Sequence, residues 1–249
     1  MEQDNRTILA ALAGQRFVAS FSGGKDSTLA LHRARQAGMV PMRLITTWNT
    51  DAGRSWFHGL PEPILADLAD AWGIPVTLMK TSGPAYTANF ERQLAMAAAE
   101  GATFCVFGDI DLEAHRVWCT ERCVAAGMSA CFPLWRENRR ELVFEFLDAG
   151  FRTVITTVDT GRLPEHFVGR RLDRETVAAI EACGADACGE EGEYHTFVFD
   201  GPGLAHPIAH RLGGLVRQDQ YAMRGVLPAI GSSGGIAGGM GEQRESALQ

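Results

Sequence analysis

Phe17-Val18-Ala19-Ser20-Phe21-Ser22-Gly23-Gly24-Lys25-Asp26-Ser27 passes from an apolar run of strand length into six glycine or polar residues. The stretch that follows, STLALHRARQA at 27–37, carries apolar residues at helical spacing, and Gly38 stands where a C-terminal cap belongs. Adjacent glycines between a strand and a helix let the backbone approach an anion, and the first free amides of the helix then point at it. Ser22 and Ser27 add hydroxyls, and Lys25 adds a point charge that faces the loop and is not needed in a core. A carboxylate beside phosphate is repulsive, so Asp26 serves either the positive end of the helix or a Mg²⁺ that offsets the phosphate. A Walker A loop needs G-x-x-x-x-G-K followed directly by Ser or Thr, and a dinucleotide fingerprint needs G-x-G-x-x-G; neither is present. The competing structural reading is a tight turn whose polar residues face solvent.

Outward from this loop the chain alternates. Met42–Trp48 reads as a strand, Glu62–Trp72 as a helix ended by Gly73, and Pro75–Lys80 as a strand. Asn89–Glu100 reads as a helix stopped at Gly101, and Phe104–Gly108 as a buried strand. This order predicts an α/β fold with a doubly wound, mostly parallel sheet, and residues 1–112 as the core that carries the glycine-rich loop. Helices at Glu113–Ala126, Arg139–Ala149 and Arg174–Cys183, with strands at Thr153–Val158 and Glu193–Phe199, predict a smaller C-terminal α+β portion, with 113–225 a substrate-side region that continues the core. Residues 226–249 include GSSGGIAGGMGEQ and are expected to form a disordered tail, because they lack apolar anchors.

Composition narrows the function classes. The 249 residues are 46% hydrophobic and 21% charged, which excludes a wholly disordered, collagen-like or coiled-coil chain. A net charge of -7 disfavours duplex nucleic acid and makes tRNA a weak candidate partner. The six cysteines, without a secretory segment or C-x-x-C spacing, read as reduced thiols of a cytoplasmic protein, buried or incidental. No apolar run is long enough to span a membrane. The length permits a homodimer without requiring one.

Two further stretches carry chemistry. Gly108-Asp109-Ile110 closes a strand at the end where open sheets bind ligands, followed by Asp111, Glu113, His115 and Arg116. Asp109 offers a carboxylate to a metal, and Asp111 reads as the cap of the next helix. Trp118 and Pro133-Leu134-Trp135 offer aromatic surface that is either pocket wall or core. Asn49 and Thr50, with Trp56 and His58 after them, stand where a nucleobase would meet the chain. The second stretch is Cys188-Gly189-Glu190-Glu191-Gly192-Glu193-Tyr194-His195-Thr196. Three glutamates so close are costly unless they face water or a cation. Glu190 and Glu193 are expected to converge across the turn, with His195 on the strand face of Glu193, as general bases or cation holders. A charged hairpin edge is the structural alternative.

SGGKDS at 22–27 matches the PP-loop of the N-type ATP pyrophosphatases, relatives of the adenine nucleotide alpha hydrolases. Together with GDI at 108–110, His115-Arg116, Trp118, Pro133-Leu134-Trp135 and CGEEGEYHTFVFDGP at 188–202, it resembles the diphthine-ammonia ligase family. The resemblance covers most of residues 15–207. It implies an enzyme that uses ATP and Mg²⁺ to adenylate a carboxylate, then transfers ammonia to form an amide and releases AMP and pyrophosphate. In that family the acceptor is diphthine on elongation factor 2. Carried over, Ser22, Gly23, Gly24, Lys25, Asp26 and Ser27 hold the nucleotide, with Asn49, Gly108 and Asp109 beside it. Asp26 and Asp109 serve the metal, and Lys25, Asp26, Glu190, Glu193 and His195 serve the chemistry. Glu191 stands where many relatives are less charged. A PP-loop tRNA-modifying enzyme and a non-catalytic adenine-nucleotide sensor are the alternatives.

Overall fold

A computed structural model describes residues 5–51, 53–55 and 58–229. Trp56 and the glycine-serine stretch therefore lie outside the described residues. The chain opens with α1 (Asn5–Ala10), β1 (Arg16–Ser20), α2 (Lys25–Gln36), β2 (Val40–Asn49), β3 (Arg54–Ser55), α3 (Glu62–Trp72) and β4 (Val76–Thr81). It continues through α4 (Tyr86–Ala99), β5 (Phe104–Val106), α5 (Glu113–Ala125) and β6 (Ser129–Cys131). α6 (Arg139–Asp148), β7 (Arg152–Asp159), α7 (Arg174–Ala182), β8 (Tyr194–Asp200), β9 (His210–Gln218) and β10 (Tyr221–Pro228) complete it.

The fold is mixed α/β, with a largely parallel central sheet and a smaller C-terminal β+α region. β2 pairs in parallel with β1 and β4, β1 also with β5, and β5 with β6, while two-residue β3 runs antiparallel to the end of β2. From β1 the chain thus fills one side of the sheet through β2 and β4, then the other through β5 and β6. Alternate residues of β1 point to opposite faces, as strand geometry requires. Phe17 and Ala19 enter one apolar core with residues of α2, α3 and α6, and Val18 enters the other with residues of α4 and α5. Because both faces are covered, these strands read as continuous apolar runs.

Past residue 112 the parallel sheet continues, with β6 extending it to Cys131. The Thr153–Val158 strand does not join it. As β7, it belongs to a second, antiparallel sheet ordered β8-β7-β10-β9. The expected strand through Gly108 ends at Val106, although the Phe107 amide still reaches the Cys131 carbonyl. Residues 226–228, placed in the tail by composition, belong to β10, where Val226 is buried. Among the described residues no helix is long and apolar enough to cross a membrane.

An ion-pair cluster ties three parts of the chain together. Arg33 of α2 is buried, and its guanidinium donates to both oxygens of Glu137 at 2.6 and 2.7 Å, to Glu145 at 2.9 Å and to the Pro133 carbonyl at 2.8 Å. Asn5 of α1 joins through Glu137 at 3.0 Å. Burial opposes the charges of Glu137 and Glu145 most, but the hydrogen bonds and charge of Arg33, with Asn5 and Arg6, together outweigh it and hold both below the usual carboxylate range. Arg33→Met is expected to cost about 3 kcal/mol in urea unfolding at pH 7, because two carboxylates lose their buried partner. Depressed carboxyls contribute stability above their unfolded pKa and lose it as pH falls through the folded one, so the deficit should shrink below about pH 4.

Candidate functional site

Strand β1 delivers the loop 22–24 to the start of α2, and β8 closes over it. The Val198 amide donates to the Gly23 carbonyl at 2.9 Å, and the Lys25 amide to the Thr196 hydroxyl at 3.1 Å. Within the loop, the Gly24 amide donates to Ser22 Oγ at 3.3 Å, and the Ser22 and Ser27 hydroxyls stand 3.1 Å apart. Asp26 and Ser27 belong to the first turn of α2, whose amides have no intrahelical acceptors. Gly108 permits this packing: a Cβ there would meet the Ser27 nitrogen at 2.7 Å and the Asp26 carbonyl carbon at 2.8 Å. The GDI segment is thereby pressed against the phosphate-loop helix.

Lys25 departs from expectation. Its side chain is buried, with only 4% of the residue exposed, and Nζ lies 2.7 Å from Asp26 and 5.2 Å from the centre of the Tyr194 ring. Burial opposes its charge most, but its surroundings, led by the Asp26 carboxylate, together outweigh burial and raise the pKa well above the ordinary lysine value. The other Asp26 oxygen accepts a weak hydrogen bond from Cys188 Sγ at 3.5 Å. Cys188, among the thiols expected to be buried or incidental, is buried and packs beneath the loop; burial pushes its thiol far up. The other cysteines are free too, and those at 105, 119, 123 and 131 are buried.

The loop opens into a cavity of two adjoining lobes, of about 500 and 420 Å³. Ser22, Asp26, Ser27, His58, Glu190 and His195 line both. The larger lobe has an aromatic wall: Tyr86 lies parallel to Phe90 at 6.3 Å, Trp118 stands 5.5 Å from Phe90, and Phe107 completes it. This wall, legible in the sequence only at Trp118, arises because α4 and α5 pack side by side below Gly108. Trp135 instead lies against Phe132 under the Arg116 guanidinium, and neither lobe includes it. Asn49 sits at the end of β2, where its Oδ1 accepts from the Asp51 amide, also outside both linings.

The acidic motif separates into two parts. Glu190 enters the cavity, and its Oε1 accepts from the Ile110 amide at 3.1 Å. Burial, reinforced by the charge of Asp26, raises its carboxyl to about 7. Glu193 does not converge with it: it is buried, accepts from Arg162 at 3.0 Å and from the Glu191 amide at 3.1 Å, and lines neither lobe. Its charge is matched by Arg162, and its second oxygen closes the turn at the Glu191 amide. His195 lines the cavity 5.1 Å from His58, ring centre to ring centre. Burial, with Lys25 adding repulsion, lowers His195; burial, with His195 adding repulsion, lowers His58 to about 3. His58 Nδ1 lies 2.8 Å from the Thr196 carbonyl, so the neutral ring donates there and leaves Nε2 basic.

Asp109 lines the cavity and stands 3.1 Å from His115, whose pKa this hydrogen bond raises. Asp111 is not the cap of α5, whose cap position is Leu112; it forms a paired-oxygen contact with Arg139 at 2.6 and 2.7 Å. Among the described residues no three His, Cys, Asp or Glu side chains form a ready cage for a metal. Asp26 and Asp109 nevertheless both face the cavity, and both raise the Glu190 pKa, the excess negative field that a divalent cation relieves. Hard carboxylate oxygens, few in number, suit Mg²⁺, which takes its remaining ligands from water and phosphates.

A raised carboxyl favours folding below its unfolded pKa and loses that advantage as pH rises through the folded value. Glu190→Gln is therefore expected to melt higher than the parent at pH 8, by about 2 kcal/mol, and equally at pH 4. Thermal unfolding at the two pH values measures this.

Comparison with known proteins spans the residues of both lobes. The diphthamide synthase N-terminal domain matches residues 15–130, and the diphthamide synthase C-terminal domain matches residues 138–209. The chain is 26% identical over 212 residues to the diphthine--ammonia ligase of Bos taurus, covering 75% of this chain and 79% of that protein. It is 34% identical over 73 residues to the diphthine--ammonia ligase of Homo sapiens, covering 28% and 27%. With both domains matched in order across the loop, the aromatic lobe and the acidic turn, the chain belongs to the diphthamide synthase, or diphthine-ammonia ligase, family of PP-loop ATPases.

Proposed function

We propose that this chain is an ATP-dependent amide-forming ligase that adenylates a carboxylate and transfers ammonia to it, releasing AMP and pyrophosphate. The observation that carries this reading is one cavity in which the SGGKDS loop, an aromatic wall and a carboxyl titrating near neutrality face each other. The strand order about β1, with helices on both faces of the sheet, supports a doubly wound fold of the adenine nucleotide alpha hydrolase kind, whose ligands bind where the order reverses. The names of the relatives support diphthine as acceptor, and the family resemblance implies that an elongation factor carries it.

In this reading the adenine lies against Tyr86, Phe90 and Trp118, and the pyrophosphate portion lies at the loop 22–27. A carboxylate oxygen of the acceptor attacks the α-phosphorus, and the bond to the β,γ-pyrophosphate breaks. The first-turn amides of α2 and the Lys25 ammonium stabilise the charge that grows on the departing pyrophosphate. Asp26 and Asp109 would hold Mg²⁺, which when bound neutralises phosphate charge. Ammonia then attacks the acyl carbon and AMP leaves. Glu190, ionised above about pH 7, takes the proton that the nitrogen sheds, and the neutral ring of His195 stands beside it. Glu193 supports the turn that carries Glu190.

With ATP labelled at the α-phosphate, Mg²⁺, ammonium and a diphthine-bearing elongation factor, AMP should form only when the acceptor is present. ADP and phosphate as products would refute the adenylation step, and bound ATP without AMP would favour the sensor alternative. Lys25→Met should lower AMP release about 100-fold or more, the scale of one lost electrostatic stabiliser. Measured from pH 5.5 to 8.5, kcat should rise to a plateau with a midpoint near 7, and Glu190→Gln should remove that limb.

A further inference from the structure

Glu190 reaches the cavity from the turn 186–191, and Asp186 sets the course of that turn. One Asp186 carboxylate oxygen accepts from the Cys188 amide at 3.2 Å and the other from the Glu190 amide at 3.1 Å. The Gly189 amide adds a bond to the Asp186 carbonyl at 3.1 Å. A Cβ on Gly189 would meet the Tyr194 ring at 2.7 Å, and the Tyr194 hydroxyl donates to the Ala187 carbonyl at 2.6 Å, so the turn is pressed against β8.

Arg139, the first residue of α6, joins this turn to the GDI segment. Its Nε and Nη2 donate to the two Asp111 oxygens at 2.7 and 2.6 Å. Its Nη1 donates at 3.1 Å to the Asp186 oxygen that also holds the Glu190 amide, and stands 3.6 Å from Glu191. Glu190 in turn accepts from the amide of Ile110, the neighbour of Asp111. The contacts therefore close a ring: Asp111 to Arg139, Arg139 to Asp186, Asp186 to the Glu190 amide, and the Glu190 carboxyl back to Ile110. Arg139 and Asp186 are partly buried and line neither lobe, so nothing in the cavity accounts for them. A planar guanidinium can bridge two carboxylates at fixed angles, which a lysine ammonium on a flexible stem does not. A general base works only within hydrogen-bond reach of the proton it takes, so the separation of the turn from the GDI segment matters to the chemistry.

We infer that Arg139 and Asp186 are positioning residues for Glu190: together they fix the acidic turn against the GDI segment and hold the Glu190 carboxyl at the place where the phosphate loop meets the acceptor. The part this plays in turnover rests on the ligase reading above; the placement of the carboxyl does not.

The test follows amide hydrogen exchange by NMR in the ¹⁵N-labelled full chain. In Arg139→Gln and in Asp186→Asn the Ile110 amide should exchange about tenfold faster, the scale of one lost hydrogen bond. The Val198 amide, bonded to Gly23, should keep its rate. Arg139→Lys keeps the charge without the fork and should give the same result, so the test stands if Arg139→Gln fails to fold. An unchanged Ile110 rate overturns the inference, and so does equal acceleration of both amides, which is what a merely structural role produces. This readout needs no turnover, so absence of AMP release by the parent counts against the ligase reading alone. Where the diphthine-bearing factor supports AMP release, Arg139→Gln should lower kcat about 100-fold, the scale of a misplacement of about 1 Å, and leave the KM of ATP unchanged. Arg139→Gln combined with Asp186→Asn should lose no more than either alone, because both open one ring. An unchanged kcat, or losses that multiply, overturns the positioning role.

Discussion

The arrangement depends on one buried charge, the Lys25 ammonium at the seam between the parallel and antiparallel sheets. An ion taken out of water costs several kcal/mol unless a partner compensates it in place. Asp26, the next residue, supplies that partner at 2.7 Å, and the Tyr194 ring covers the ammonium from β8. β8 cannot separate from the loop without uncovering the charge and breaking the bonds from Val198 and Lys25 that stitch the two together. The same burial that secures the loop sets the chemistry around it. Desolvated in the cavity and facing the charge of Asp26, Glu190 keeps its proton up to about pH 7.

Apolar and polar functions of the cavity come from different layers. α4 and α5, packed on one face of the parallel sheet, contribute the aromatic wall, and the turn before β8 contributes Glu190. Gly108 joins them, since any side chain there would drive the GDI segment away from the start of α2. The two histidines complete the enclosure from a third direction. Burial lowers the pKa of both, outweighing the pull of Asp26 on His195, and the pair lines this cavity and a neighbouring one alike.

Much of this was legible in the chain because it is local. The loop 22–27, the strand before it and the helix after it are set by consecutive residues, and α3 keeps its expected bounds, ended by Gly73 in the left-handed conformation. β6 was not legible, since three residues carry no periodicity, and β9 and β10 were not, since glycines interrupt their alternation. Composition merged the last three residues of β10 with the glycine-rich segment because it does not register a strand paired from elsewhere.

Sequence alone determined the phosphate loop, the alternation of strands and helices, and the family resemblance carried by SGGKDS and CGEEGEYHTFVFDGP, because each resides in contiguous residues with fixed local geometry. Only the tertiary structure decided which acidic residues act together. Glu190 and Glu193 are alike in type and three positions apart, yet Arg162 claims Glu193 while Glu190 turns toward Asp26, 164 positions away in the chain. The same holds for Lys25, Cys188 and the histidine pair. Burial and distant partners set their charge states, and those quantities exist only once the two sheets have closed on each other.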